Sequence, residues 1–303
     1  MLDLNDPLPY GATPIDDSSD LKLSWIRTRE QLNIAEAENI LKASSRYFPG
    51  RKFPATWFND GFLRKIHADM FKDVWGWAGV YYQGPLRNIG IPSAHIPIQV
   101  RELCNDVLFW LREKTDLTFL EQSARIHFRL AQIHPFHNGN GRHARFSADL
   151  YLQSLCGQRS TWPEKVLIVG SNLRKEYIQS LKNADRGDYS DLTRLILQCG
   201  GRNPSIAEVL STPLFKQYFS VSKIFETVQN LIRFGCKIDE LSHDGHHPLQ
   251  LAVRKNLPEM ITLLMENGSN PHQKDKSGLT PLDCAAKMQN RELVEFFNKK
   301  HYY

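Results

Sequence analysis

Residues 134–145 read HPFHNGNGRHAR, and apolar helical patterns flank this stretch on both sides. A Gly139-Asn140-Gly141 turn that opens a helix aims backbone N–H groups and the positive end of the helix dipole at one point, which suits a phosphate. Arg142 and Arg145 are three apart and share one face of that helix. Both can grip phosphate oxygens bidentately. His134 enters just ahead of the turn, where its imidazole can reach a proton near the same phosphate. Taken singly, the His-Pro pair reads as a helix end, the Gly-Asn-Gly as a loop and the arginines as solvated. Together and without gaps they read as a phosphate cradle beside a base.

Upstream of the motif, Thr118 with Glu121 three residues later forms a capping box for a helix that runs to about Ile133, where Pro135 ends it. A helix from about Gln99 to Glu113 precedes it, with Val100, Leu103, Val107 and Leu111 at helical spacing. Between residues 80 and 98, Gly84-Pro85, Gly90, Pro92 and Pro97 exclude a helix, and the segment reads as a short β-hairpin or extended flap. Phe62, Ile66, Met70 and Val74 recur every four residues and predict a helix over about 61–74, closed by Trp75-Gly76-Trp77-Ala78-Gly79. Another helix is expected from Thr28 to about Ser44, with Leu32, Ala35, Ile40 and Leu41 apolar and with Glu30, Glu36 and Glu38 crowding it. Residues 1–22 are rich in Asp, Pro, Gly and Ser and read as a mobile arm.

Downstream, the motif helix runs from about Gly141 to Leu155, with Ala144, Ala148, Tyr151, Leu152 and Leu155 as its buried face. After a connector from Trp162 to Gly170, helices are expected over 171–185 and 188–197, joined at Arg186-Gly187. The last third changes texture. Gly245-His-His-Pro248-Leu-Gln-Leu-Ala252 returns as Gly278-Leu-Thr-Pro281-Leu-Asp-Cys-Ala285, 33 residues on, and Gly235 and Gly268 keep the same interval. A degenerate copy begins at Thr212-Pro213-Leu214. A period of that length signals stacked helical repeats, which offer an extended binding face.

The 303 residues predict about two domains, and 41% hydrophobic with 23% charged residues is ordinary for a globular chain. The net charge of +5 is mild, and no basic run or basic-aromatic stripe points to nucleic acid. The five cysteines are widely spaced, which excludes a CxxC zinc site and fits a reducing cytoplasm. Neither a membrane span nor a secretory signal is visible in the sequence.

The stretch His134, Pro135, Phe136, Gly139, Asn140, Gly141, Arg142 and Arg145 resembles the signature of the Fic family, H-x-F-x-(D/E)-G-N-G-R-x-x-R. DVWGWAG (residues 73–79) and YIQSLKNADRGDYSDL (177–192) are also similar to Fic sequences. The resemblance covers about residues 25–199, and the 33-residue period resembles ankyrin repeats. The expected fold is therefore all-α: an N-terminal arm (1–22), a Fic domain (23–200) and about three ankyrin repeats (204–303).

The resemblance implies a protein adenylyltransferase that moves AMP from ATP to a Ser, Thr or Tyr hydroxyl of a target protein. His134 would be the base. Gly139, Asn140, Gly141, Arg142 and Arg145 would hold the phosphates, and a flap carrying Asn88, Ile89 and Gly90 would pair with the target's backbone. In the family the motif's Asp/Glu binds Mg²⁺. Asn138 stands there in this chain, as it does in bacterial Fic proteins of the mobile mystery protein B type, and it offers a neutral oxygen to the metal. Other donors, such as CDP-choline or another NTP, and a catalytically weak nucleotide-binding scaffold remain open. Many Fic proteins carry an inhibitory helix, (S/T)-x-x-x-E-(G/N), whose Glu pairs with the second motif arginine. LNIAEAEN (32–39) matches at Glu38-Asn39 with Ile34 at the Ser/Thr position, so Glu36 or Glu38 is expected to reach Arg145. Partners implied are a target protein, bound through the ankyrin repeats, and a nucleotide. The setting is the cytoplasm of the producing cell, or a host cell for an exported effector.

Overall fold

The computed structural model describes residues 19–48, 57–113, 115–156, 160, 162, 172–211, 221–233, 235–242 and 244–299. Residues 1–18 of the expected arm, the 163–170 connector, the Thr212-Pro213-Leu214 copy and the chain beyond 299 lie outside the described residues. The chain divides into two compact units, Met1–Trp110 with Phe119–Arg202, and Leu111–Thr118 with Asn203–Tyr303. Among the described residues both are helical, with no sheet and two isolated β-bridges, Leu21 with Trp75 and Tyr81 with Phe136.

In the first unit, α1 (Arg29–Tyr47) opens on Thr28, whose hydroxyl accepts the Gln31 N–H at 3.2 Å while the Gln31 side chain returns to the Thr28 N–H. Its buried face runs Leu32, Ala35, Glu36, Asn39, Ala43, Tyr47, so two polar residues sit inside an otherwise apolar stripe. α2 (Asp60–Phe71) packs on α1 and is capped by Asn59, which accepts the Phe62 N–H at 2.9 Å. Ile66, Met70 and Val74 are buried as their spacing requires, and the inner face also takes Leu63 and His67. α3 (Ile96–Arg112) begins earlier than the sequence suggested. Pro97 falls in its first turn, where a missing N–H breaks no intrahelical bond, so this proline starts a helix rather than excluding one.

The hairpin expected over residues 80–98 is not formed. Val80 to Pro92 is irregular, a short 3₁₀ turn (Ser93–His95) leads into α3, and the one ladder partner of the segment is the motif loop at Phe136. Glycines and prolines leave this segment no return strand of its own. α4 (Phe119–Ile133) and α5 (Asn140–Cys156) pack against each other, α6 (Asn172–Ala184) and α7 (Ser190–Gln198) form a pair, and α7 lies on α4.

The second unit contains α8 (Ile206–Ser211), α9 (Val221–Arg233), α10 (Pro248–Arg254), α11 (Pro258–Glu266), α12 (Pro281–Lys287) and α13 (Arg291–Lys299), packed as successive pairs. Pro248 and Pro281 start equivalent helices, and Gly245 and Gly278 take φ of 80° and 74° at equivalent turns. Gln250 Nε2 donates to the carbonyls of Gln273 (3.0 Å) and Leu279 (2.6 Å), which ties one repeat to the next. Buried Asp275 does the same through Arg254 (2.9 Å) and His246 (3.1 Å). The period seen in the sequence is thus the period of the packing.

One ionic cluster joins α1 to α2. Asp69 is 4% exposed and accepts from Lys72 (2.7 Å), Lys65 (3.1 Å), Arg46 (3.0 Å) and the Tyr47 hydroxyl (2.7 Å). Burial opposes its ionisation, but the Lys72, Tyr47 and Lys65 hydrogen bonds outweigh burial and hold the carboxyl well below the usual carboxylate range. The folded-state pKa lies below the unfolded one, so this stabilisation is complete above about pH 4 and is lost progressively below it. The cations are about half exposed, so solvent screening limits the effect. We expect Asp69→Asn to lower stability by about 1–3 kcal/mol at pH 7. In urea melts of both proteins the gap should narrow as the pH falls from 5 toward 2, and a gap independent of pH would contradict this account.

Candidate active site

The loop from α4 to α5 is closed by one side chain. Asn140 Oδ1 accepts the Phe136 N–H at 2.8 Å and its Nδ2 donates to the Phe136 carbonyl at 2.9 Å. Phe136 is a buried plug, stacked face to face on the His67 ring with centroids 3.7 Å apart. Two residues of the loop adopt left-handed backbone: His134 (φ 54°) and Gly139 (φ 74°). Gly139 is required twice over, because a Cβ there would also overlap the Phe71 ring.

His67 was not singled out from the sequence, yet it holds the motif loop. Its Nδ1 accepts the Gly79 N–H at 3.0 Å, so in the neutral ring Nε2 carries the proton and donates to the Asn138 carbonyl at 3.0 Å. Complete burial, then the neighbouring His143, push its pKa well below the usual histidine range. The glycine of the WAG turn is the signal that a buried acceptor lies opposite, but the partner is 12 residues away on another element.

His134 is half-buried, with Nδ1 3.3 Å from the Ala131 carbonyl. Burial lowers its pKa to about 4, the Ala131 carbonyl raises it slightly and the Arg87 charge lowers it further. The imidazole is therefore a free base near neutral pH. The segment expected to be the flap lies against it. A Cβ on Gly90 would sit 2.8 Å from His134 Cβ, and the Ile91 N–H faces the Ile133 carbonyl at 3.4 Å. Asn88 and Ile89 are exposed beside this contact. Further back, the Tyr82 N–H donates to the Pro135 carbonyl at 2.9 Å. Arg87 is the latch between them. Its Nη1 donates to the His137 (2.9 Å) and Phe136 (3.3 Å) carbonyls, and its Cζ lies 3.4 Å from the centre of the Tyr82 ring.

The two motif arginines leave one helix but find different surroundings. Arg142 Nη1 pairs with Glu36 Oε2 at 2.6 Å and its guanidinium covers the Phe71 ring at 4.8 Å. Glu36 Oε1 accepts the Trp75 indole N–H at 2.7 Å. Arg145, 6% exposed, faces the Tyr177 and Trp162 rings at 5.5 and 5.9 Å. The expectation that Glu36 or Glu38 reaches Arg145 is therefore corrected: Glu36 meets Arg142, and Glu38 is exposed on the opposite side of α1. Helix register decides this, since the buried stripe of α1 passes through residues 32, 35, 36 and 39 and leaves 38 outside. The Asn140 side chain is spent on the loop, so only its backbone N–H, with those of Gly141 and Arg142 at the start of α5, is turned toward an incoming anion.

Asn138 Oδ1 accepts the Gly139 N–H at 2.6 Å. Among the described residues no three His, Cys, Asp or Glu side chains converge on one point. A divalent ion at this loop would find one neutral protein oxygen, that of Asn138.

Residues 57–152 match the family model of the Fic/DOC family, and residues 218–302 match that of ankyrin repeats (3 copies). The chain carries a Fic domain and ankyrin repeats. The Caenorhabditis elegans "Protein adenylyltransferase fic-1" is 35% identical over 102 residues, 33% of this chain and 19% of that protein. Its Caenorhabditis briggsae counterpart is 31% identical over 134 residues, 42% of this chain and 25% of the other. The chain thus spans a quarter or less of the length of these relatives. Among solved structures, BepC from Bartonella tribocorum with bound AMPPNP is 17% identical, covering 61% of this chain and 93% of that one with a TM-score of 0.48.

Within the Fic domain, the strap over residues 80–91 is fastened to the motif loop chiefly by Arg87. Hydrogen bonds from a charged donor contribute about 1.5–3 kcal/mol each. Arg87→Ala should therefore speed hydrogen exchange at the Ile91 and Tyr82 amides by about tenfold or more. Exchange unchanged at both amides would show that the strap is held without this latch.

Proposed function

We propose that this chain is a protein adenylyltransferase, with residues 23–200 as the transferase and 204–303 as the part that engages the target. The observation that carries the reading is the meeting of three groups at one loop: an unprotonated His134, the open N-terminus of α5 and the Arg145 guanidinium. His134 takes the proton of the target's hydroxyl as that oxygen attacks the α-phosphorus of ATP. The bond from this phosphorus to the bridging oxygen breaks, and pyrophosphate leaves held by Arg145, Arg142 and the backbone N–H groups of Asn140 and Gly141. The exposed edge at Asn88, Ile89 and Gly90 receives the target's backbone, which holds varied side chains equally well. Mg²⁺ belongs in this reading to the nucleotide's phosphates, with Asn138 contributing at most a neutral oxygen.

That neutral Asn138 also supports a second reading, in which the donor is CDP-choline or another NTP. Labelled ATP, other NTPs and CDP-choline, each offered to the chain and to His134→Ala, separate these. Label transferred from ATP and abolished by His134→Ala is the expected result, and no transfer from any donor leaves a nucleotide-binding scaffold. Because the base must be unprotonated and its pKa is depressed to about 4, log kcat/KM should stay flat from pH 7.5 down to 5.5. An inflection near 6.5 would mean that His134 is not the base or is solvated in the working enzyme.

Regulation in this reading passes through Glu36. Its carboxylate neutralises Arg142 and competes with a phosphate for it. Glu36→Gln should tighten ATP binding severalfold, on the order of a 1 kcal/mol gain, in calorimetry on a His134→Ala background. Equal or weaker binding removes the restraint. Cys104, Cys199, Cys236 and Cys284 form no disulfide, which supports action in a reducing cytoplasm, that of the producing cell or of a host reached by export.

A further inference from the structure

Arg145 lies in a corner of three rings that the reaction does not use directly. The Tyr177 and Trp162 rings are 6.1 Å apart at 72°, and the His127 imidazole is 5.5 Å from each. Each ring that faces Arg145 is tied at its polar end. The Tyr177 hydroxyl hydrogen-bonds His127 Nε2 at 3.0 Å, and Trp162 Nε1 donates to Asp149 Oδ1 at 3.1 Å. The corner adjoins the motif turn, because a Cβ on Gly141 would lie 3.8 Å from Arg145 Nη1 and 4.0 Å from the Tyr177 hydroxyl.

His127 is the telling residue. It is fully buried, and its Nδ1 has no hydrogen-bond partner. An unpartnered buried nitrogen is destabilising, and an aliphatic side chain would fill the same space without that cost. What the imidazole supplies instead is a fixed point for the Tyr177 hydroxyl, and so a fixed tilt of the ring that Arg145 faces. Burial, then the Arg145 charge, lower its pKa to about 3, so near neutral pH it adds no charge beside the arginine. A guanidinium held against aromatic faces in a desolvated corner is stabilised there, and it loses little further freedom when it grips a phosphate.

We infer that His127 and Tyr177 are positioning residues for Arg145, which set the guanidinium at the phosphate-binding turn before any ligand arrives. This role rests on the phosphate-binding reading of the motif turn, but not on which donor the turn accepts. Inorganic tripolyphosphate is therefore the probe, measured beside ATP by calorimetry on the full chain. Tyr177→Phe removes one oxygen and keeps the packing. His127→Leu removes the hydrogen bond, and His127→Gln returns a neutral N–H near the Nε2 position. We expect Tyr177→Phe and His127→Leu each to weaken tripolyphosphate binding about three- to tenfold, and His127→Gln to recover most of it. In an Arg145→Ala background the same changes should have no further effect, because the arginine they orient is gone. A purely structural role predicts the same loss with Arg145→Ala present. That result overturns the inference, as does the absence of any loss in the first background or of tripolyphosphate binding by the unsubstituted chain. ATP binding no tighter than tripolyphosphate would instead count against the nucleotide reading and leave the positioning role standing on the cycle.

Discussion

The paired hydrogen bonds between the Asn140 amide and the Phe136 backbone constrain the whole site. They hold the residue that starts α5 against the residue that plugs the core. Every peptide between them must then turn inside a fixed span, and Gly139 passes through left-handed backbone to do it, while His134 is left-handed two residues ahead of the span, where the chain leaves α4. For Gly139 this is free of steric cost, whereas for His134 it stores strain that the surrounding bonds must offset. The result is that His134 and the open N-terminus of α5 occupy opposite ends of one short loop.

That loop is held from three directions by residues far away in sequence. His67 on α2 bonds the Asn138 carbonyl, Phe71 on the same helix lies under both Gly139 and Arg142, and Arg87 on the strap bonds the His137 carbonyl. The Trp75 and Trp77 rings stack on each other, and Trp77 continues the stack onto His137. The WAG turn therefore contributes its backbone through Gly79 and its rings through the tryptophans to a single job, which is fixing the loop against the core. A side chain placed this way needs little reorganisation to act in the proposed transfer.

The sequence made local features legible and left the long-range ones hidden. The 3.6-residue stripes and the 33-residue period each depend on neighbours along the chain, and these appear in the structure. Pro97 misled because proline forbids the interior of a helix but favours its first turn. The strap offered alternatives of hairpin or extended flap, and its actual ladder partner, Phe136, is 55 residues further on and had no local signature. His67 and His127 look like ordinary members of amphipathic helices, and their roles depend on carbonyl and hydroxyl partners 71 and 50 residues away. Glu36 and Glu38 differ by two positions, about 200° around a helix, and a motif match at Glu38-Asn39 could not outweigh which of the two faces the core.

Charge in the site follows a consistent pattern. His67, His127, His134 and His143 all cluster around the motif, and burial lowers the pKa of every one of them. Near neutral pH none of these four is charged, so they add no positive charge beside the motif arginines. Arg142 is offset by Glu36, and Arg145 stands against the Tyr177 and Trp162 rings. A cradle built on a solvated histidine would change its charge across the range in which cells vary their pH. One built on arginine and peptide dipoles does not, because neither titrates there. The histidines are then free to serve as hydrogen-bonding rings, and His134, the base of the proposed transfer, is the one that remains half-exposed at the mouth of the loop.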